Sequence, residues 1–140
     1  MRSRLLTILA GLALAMGSTA VVTLLLPATP ASAHCSGHGT HPDLYSAGGI
    51  SFSNGTRIRT HPHTDCTILG LGYPSHGIDV HCATETGSLW LYVRDTTTGV
   101  NGWGRFDAFN YAHPVLIPDC ANGLTASTWS VSPTHTYQRA

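Results

Sequence analysis

Apolar residues in this chain form one long run near the N-terminus and many short runs after it. The long run extends from Leu5 to Leu26. Beyond it, residue pairs that favour turns recur about every ten residues, from Gly48-Gly49 to His113-Pro114. The short runs between these turns are rich in β-branched and aromatic residues, and none keeps helical periodicity beyond about two turns. This pattern predicts an all-β domain of short antiparallel strands.

The alternation of residues and the turn signals place six strands. We predict them at residues 50–53, 56–59, 66–71, 77–82, 88–94 and 100–105. The tripeptide His61-Pro62-His63 lies between the second and third of these strands. Because proline fixes φ at a value that suits a tight turn, we interpret this tripeptide as a turn.

The predicted strand at 88–94 is apolar on both of its faces. Its odd-numbered positions are mostly aliphatic, and its even-numbered positions include Trp90 and Tyr92. A strand face that meets water is normally polar, so one of the two faces must be covered, either by the segment around Cys35 or by a ligand. In the second case we expect a binding groove beside Trp90, Tyr92 and Tyr73.

The long apolar run carries the marks of an export signal. Arg2 and Arg4 precede it, and Ala31-Ser32-Ala33 provides a small-residue cleavage site after it. We predict a signal peptide over residues 1–33 that is cleaved to leave His34 at the mature N-terminus. The alternative is an uncleaved anchor, since 22 residues without a charge are long enough to cross a bilayer. Cleavage implies a secreted protein that is extracellular or associated with the cell wall.

Removing the signal changes the size and charge of the chain. Of 140 residues, 33 are removed and 107 remain, which suits one domain. Two of the seven basic residues lie in the signal, so five arginines and no lysine stand against seven acidic residues, for a net charge of −2 with neutral histidines. Nucleic acids and anionic membranes are recognised by basic surfaces, so we expect neither as a partner of the mature protein.

All four cysteines lie in the mature part, and export to an oxidising compartment favours two disulfides among three possible pairings. In the predicted strand at 77–82 the apolar residues, Cys82 among them, alternate with polar ones. If the strand that begins at Cys66 pairs antiparallel with it, the two cysteines stand opposite each other at a distance that a disulfide spans. We therefore predict Cys66–Cys82, and Cys35–Cys120 follows by elimination as a link between the ends of the domain.

Six short motifs occur in the order and spacing of a known domain. They are Arg57-Ile58-Arg59, His61-Pro62, Ile68-Leu69-Gly70, Gly77-Ile78-Asp79-Val80, Trp90-Leu91-Tyr92-Val93 and Gly102-Trp103. With these motifs, residues 50–109 resemble the bacterial SH3-like (SH3b) family, which occurs in secreted and cell-wall proteins of Gram-positive bacteria. The resemblance implies a small barrel of five to six short antiparallel strands, and binding to peptidoglycan peptides or wall surfaces.

These observations divide the chain into four parts. Residues 1–33 are the predicted signal peptide, residues 34–49 an N-terminal extension tied by Cys35, and residues 50–120 a disulfide-clipped SH3-like barrel. Residues 121–140 are rich in serine and threonine and lie beyond the last cysteine. We expect them to form a flexible C-terminal tail.

Histidines are the candidate metal ligands. His34, His38 and His41 crowd the mature N-terminus, where a free N-terminal histidine can chelate copper through its amine and imidazole. A zinc site could combine His61 and His63 with one of these three, since zinc takes imidazole nitrogens at about 2 Å. The alternative is a histidine-containing loop held by the neighbouring cysteine. No HExxH motif is present, and we expect no bound cofactor.

Catalysis has little support in the sequence. A cysteine nucleophile needs a free thiolate, which two disulfides leave unavailable, and the G-x-S-x-G motif of serine hydrolases does not occur. We assign Trp103 to core packing. We expect a secreted, non-catalytic binding module that recognises cell-wall peptidoglycan peptide or another extracellular surface. The first alternative is a secreted protein-interaction or inhibitor protein, and the second is copper or zinc binding by histidines at the mature N-terminus.

Overall fold

The computed structural model describes residues 35–36, 39–45, 48–121 and 127–140. The predicted signal peptide lies outside these ranges, and no helix within them has the length and apolarity needed to cross a bilayer. In the described residues a short 3-10 helix, Phe106–Ala108, accompanies ten β-strands. The strands are β1 (Ile50–Phe52), β2 (Thr56–Arg59), β3 (Ile68–Gly72), β4 (Ile78–Glu85), β5 (Leu89–Asp95), β6 (Asn101–Arg105), β7 (Phe109–Tyr111), β8 (Val115–Pro118), β9 (Thr128–Val131) and β10 (Tyr137–Arg139). The predicted all-β class is confirmed.

The six predicted strands correspond to β1–β6, with ends that differ by at most three residues. The turn signals explain this agreement, since Gly55, for example, takes a φ of 75° between β1 and β2, where glycine alone meets no steric cost. The predicted count of five to six strands is too low. Strands β7–β10 hold only three or four residues each, which is too short for alternation to stand out in a sequence.

The strands form three antiparallel sheets. The largest has the order β3-β2-β6-β5-β4, the second the order β10-β9-β8, and the third pairs β1 with β7. These sheets do not close into a barrel, so the SH3-like barrel remains an expectation from the resemblance. In the large sheet, β3 and β4 are the two edge strands, and β2 and β5 are interior.

The main core lies on the aliphatic face of β5. Leu89, Leu91 and Val93 are fully buried there and pack in one cluster with Trp129 and Val131 of β9. Burial of each large apolar side chain contributes about 1.5–3 kcal/mol. The expectation of a flexible tail is therefore wrong for residues 127–140, which form β9 and β10 and complete the core.

The two disulfides join Cys35 to Cys66 and Cys82 to Cys120. The predicted pairings, Cys66–Cys82 and Cys35–Cys120, are wrong. One reason is strand order, because β3, which follows Cys66, pairs with β2 and lies at the opposite edge of the sheet from β4.

A β-bulge in β4 is the second reason. Val80 and Cys82 stand opposite the successive β5 residues Val93 and Tyr92, so His81 is the extra residue in the ladder. An extra residue reverses the alternation of the residues that follow it. Cys82 therefore leaves the face that Val80 shares with the main core and joins the aromatic face of β5, where it bonds to Cys120.

The aromatic face of β5 is covered by the segment that follows the first cysteine. Trp90 and Tyr92 are only 3% and 5% exposed and pack around the fully buried Trp103. Residues 39–45 lie over Tyr92 and Trp103, and the His41 ring meets these two rings edge-on, at centroid distances of 5.4 and 5.1 Å. The prediction that one face of β5 needs a cover is confirmed, and so is the core position of Trp103.

Candidate functional site

A cleft of about 370 Å³ opens between the β1–β2 turn, the outer face of β2 and the segment that follows β6. Its walls include Arg57 and Arg59 of β2, Arg105 at the end of β6, and Asp107 in the 3-10 helix. Trp90 of β5 also lines it. We call this feature the arginine cleft.

The arginine cleft carries an excess of positive charge in a chain that is neutral overall. Three of the five arginines outside the predicted signal line it, with Asp107 as the single lining acid, so three positive charges and one negative leave +2. The full sequence has a net charge of zero with neutral histidines. A local excess of one sign in a concave site concentrates ligands of the opposite charge.

Alternation along β2 places two of these arginines side by side. Thr56 and Ile58 are buried, and Ile58 belongs to the main core. Arg57 and Arg59 therefore share the opposite face, because residues i and i+2 of a strand point the same way. The Thr56 hydroxyl donates a hydrogen bond to the Ala108 carbonyl oxygen, which holds the 3-10 helix that lines the cleft against β2.

Arg59 is the most buried of the three arginines, with 8% of its surface exposed. Its Nη1 donates to the Cys66 carbonyl oxygen at 2.7 Å, so the guanidinium is anchored beside the Cys35–Cys66 disulfide. Burial and then the repulsion of Arg57 lower its pKa, and the Asp65 charge opposes this in part. Holding two like charges together costs free energy that a bound anion would recover.

The other two arginines differ in how they are engaged. Arg105 makes a bidentate pair with Asp107, Nε to Oδ1 at 2.6 Å and Nη2 to Oδ2 at 2.5 Å. These hydrogen bonds raise the pKa of Arg105 although partial burial opposes the shift. Arg57 is exposed, and within the described ranges its guanidinium has no hydrogen-bond or ion-pair partner. Arg57 is thus the group most available to a ligand.

No family model, curated protein or solved structure matches this chain. The likeness to SH3-like domains therefore rests on the short motifs of the sequence alone. The arginine cleft has to be interpreted from its own chemistry.

Of the three residues predicted to line a groove, only Trp90 belongs to the arginine cleft. Tyr92 lies two residues further along the same face, but it packs against Trp103 and is covered by the N-terminal segment. Tyr73 is exposed beyond β3, where its ring meets His76 edge-on at 5.2 Å. The structure does not bring these three residues together into one groove.

The predicted histidine ligands have different fates. His34 and His38 lie outside the described residues. The His41 nitrogen approaches the sulfurs of Cys82 and Cys120, but those sulfurs are bonded to each other and cannot ligate a metal ion as thiolates.

His61 and His63 lie in the turn between β2 and β3, as predicted. The His63 N–H donates to the His61 carbonyl oxygen at 2.8 Å, and the Cys66 N–H donates to the His63 carbonyl oxygen at 3.2 Å. In the described part of the chain, neither histidine joins a group of three potential metal ligands. The zinc set that combines these two histidines with His41 is therefore not formed.

The arginines of the cleft are the residues that sequence reasoning missed. Arg57 and Arg59 occupy alternate positions of a correctly predicted strand in a chain without lysine, and this signal could have singled them out. Arg105 could not have been added to them, because it comes from a different strand and reaches the cleft only through the order β2-β6-β5.

Proposed function

We propose that the protein is a secreted, non-catalytic binding module whose arginine cleft recognises the carboxylate groups of cell-wall peptide. The observation that carries this proposal is the gathering of three of the seven arginines around one cleft, which carries +2 in a chain whose net charge is zero with neutral histidines. Peptide of the bacterial wall offers free carboxylates on a small, polar backbone. The signal peptide predicted from the sequence would place the protein outside the cell, where it can contact wall peptide.

The chemistry of the cleft suits a carboxylate better than an extended polyanion. A guanidinium offers parallel N–H donors that match the two oxygens of a carboxylate. Arg57 is free to make such a pair, and Arg59 beside it adds a second, partly desolvated charge. Trp90 supplies an apolar wall. A nucleic acid, in contrast, needs a basic stripe along its backbone, and the charge outside the cleft is negative.

Binding to wall material tests the proposal. The mature protein, with both disulfides formed and EDTA present, is incubated with protein-free peptidoglycan sacculi, and the retained fraction is measured. We expect retention that falls as salt rises, because exposed charge pairs are screened. Arg57→Gln should weaken retention by about 10–100-fold, the equivalent of one charge-assisted hydrogen bond.

Arg94→Gln is the matched control. Arg94 is an exposed arginine of β5 that does not line the cleft, so its replacement changes the net charge by the same amount and should leave retention unchanged. Equal loss in both variants would assign the effect to overall charge. No retention of the wild-type protein would refute wall binding.

A different surface supports the alternative of a protein partner. The edge strand β3 exposes Ile68, Leu69 and Leu71, each more than two-fifths accessible. Edge strands with apolar side chains can accept an extended strand of another chain. In that case Leu71→Lys, and not Arg57→Gln, would abolish capture of the partner, and sacculi stripped of protein would retain nothing. Copper or zinc binding at the mature N-terminus depends on His34 and His38 and remains a prediction.

A further inference from the structure

A second group of polar side chains, at the edge strand β4, has no role in the proposed wall binding. Asp79 and His81 lie on β4, and Asp43 comes from the segment that covers the aromatic face. One carboxylate oxygen of each aspartate and one imidazole nitrogen lie within 4.8 Å of one another. The backbone builds this arrangement, because the Leu44 N–H donates to the His81 carbonyl oxygen at 3.2 Å and so sets Asp43 beside β4.

The bulge in β4 directs His81 into this group. As the extra residue of the ladder, His81 packs edge-on against Tyr92 at a centroid distance of 5.4 Å, on the same side as the N-terminal segment. Bulges commonly re-aim a side chain in this way. The His81 side chain keeps only 13% of its surface exposed.

The hydrogen bond at the other ring nitrogen determines the tautomer of His81. Nδ1 lies 3.1 Å from the backbone carbonyl oxygen of His41. A carbonyl oxygen only accepts hydrogen bonds, so Nδ1 must carry the proton and donate it. In the neutral ring, Nε2 then presents a lone pair.

That lone pair is buried and faces carboxylates. Nε2 is inaccessible to solvent and has no hydrogen-bond partner in the described part of the chain, and Asp79 Oδ2 lies 3.4 Å from it without hydrogen-bond geometry. No arginine pairs with Asp43 or Asp79 within the described ranges. A lone pair and two carboxylates repel one another unless a positive charge lies between them. Either a second proton on the ring or a metal ion can supply that charge.

We propose that Asp43, Asp79 and His81 bind a divalent zinc ion. A metal-binding histidine characteristically donates its other N–H to a backbone carbonyl or carboxylate, as His81 does to His41. Zinc accepts nitrogen and carboxylate oxygen together, whereas calcium and magnesium prefer oxygen ligands throughout.

The geometry agrees with zinc coordination. Ligands about 2.0–2.1 Å from a tetrahedral ion are about 3.3 Å apart, close to the 3.4 Å between His81 Nε2 and Asp79 Oδ2. The exposed Asp43 side chain supplies the third ligand after a small rotation, and its Oδ1 also accepts the Tyr45 N–H at 3.3 Å. A fourth position remains for water.

Such an ion would join the N-terminal segment to the sheet. It would link Asp43 to β4 directly above Tyr92, where the Cys82–Cys120 disulfide already anchors the same strand. Zinc would then stabilise the cover of the aromatic face, and the folded protein would gain stability with zinc concentration by mass action.

Zinc titration of the metal-stripped mature protein, with its disulfides intact, tests the site. Isothermal calorimetry should show one zinc ion per chain, and the melting temperature should rise with zinc. Asp43→Asn and His81→Gln should each weaken binding at least about tenfold, since even indirect partners of metal ligands cost about 10–100-fold when removed. Asp43 is exposed, and asparagine can keep the oxygen that accepts the Tyr45 N–H, so this variant should fold normally.

A double variant, His34→Gln with His38→Gln, is the control for the crowded N-terminal histidines. It should bind zinc as the wild type does. Zinc binding that disappears in this double variant, or that survives both Asp43→Asn and His81→Gln, would overturn the proposal. So would a wild-type protein that takes up no zinc in the same titration.

Discussion

Asp95 is a fully buried carboxylate at the end of β5, and its replacement gives a sharp test of how the β5–β6 hairpin is held. Its oxygens accept three hydrogen bonds, from His76 Nδ1 at 2.6 Å and from the backbone N–H groups of Thr97 and Thr98 at 2.9 and 3.1 Å. These bonds order the turn that connects β5 to β6. The same hairpin carries Trp90 and Arg105 to the arginine cleft.

The structure sets the expected cost. Each hydrogen bond to the carboxylate contributes about 1.5–3 kcal/mol, and the low end applies because Thr97 and Thr98 are exposed and water can replace the lost acceptor. Asp95→Ala removes all three bonds and should lower the free energy of unfolding by about 3–5 kcal/mol. Asp95→Asn keeps an oxygen for the two backbone donors and should cost about 1–2 kcal/mol.

The contribution of Asp95 should also depend on pH. Burial by itself raises the pKa of this carboxyl, but the hydrogen bonds from His76, Thr98 and Thr97 outweigh it and hold the pKa below its ordinary value. A carboxyl whose pKa is lower in the folded state adds stability above its unfolded pKa of about 3.9, and this stability is lost as pH falls through the folded pKa. The difference between wild type and Asp95→Asn should therefore be full near neutral pH and shrink below about pH 4.

Urea unfolding followed by tryptophan fluorescence, with both disulfides intact, measures these differences. Asp65→Asn is the control, because the Asp65 side chain is 70% exposed and its loss should change stability little at any pH. Equal costs for the alanine and asparagine variants would refute the reasoning, since they would show that the two backbone hydrogen bonds contribute nothing. A difference between wild type and Asp95→Asn that stays constant down to pH 3 would contradict the lowered pKa.

Two further predictions concern packing and covalent structure. Gly102→Ala should lower the free energy of unfolding by about 1–3 kcal/mol, because a Cβ at this position would lie 2.5 Å from the Arg59 carbonyl oxygen. The same change should weaken ligand binding at the cleft. Gly48→Ala is the control, since Gly48 has open space around it, and it should leave stability unchanged in the same urea assay. Peptide mapping without reduction should recover Cys35 linked to Cys66 and Cys82 linked to Cys120. A peptide that links Cys66 to Cys82 would contradict the bulge in β4.

Strands whose pattern is set by neighbouring residues were predicted correctly, whereas strands that depend on contacts distant in sequence were missed. β2 was placed correctly because the alternation of Thr56 and Ile58 with two arginines is a property of four consecutive residues. β9 was missed, although Trp129 and Val131 also alternate with polar residues, because a strand of four residues beyond the last cysteine resembles a polar tail. Its burial depends on the aliphatic face of β5, which is distant in sequence.

The candidate sites show the same limit more strongly. The arginine cleft needs Arg105 of β6 beside two residues of β2, and the proposed zinc site needs Asp43 laid across β4. Neither juxtaposition has a periodic signal in the sequence. One inserted residue, His81, also reversed the face of Cys82, and no local pattern announced that bulge.

The sequence by itself determined the all-β class, the positions of the first six strands, the turn at His61-Pro62-His63 and the need to cover one apolar face of β5. These follow from side-chain alternation and from the backbone preferences of glycine and proline, which act over a few residues. Only the tertiary structure decided which cysteines are joined, what covers Tyr92, and which charged residues meet. Those outcomes depend on strand order and on a single bulge. Both bring together residues that are far apart in the sequence, and no local pattern of side chains indicates such contacts.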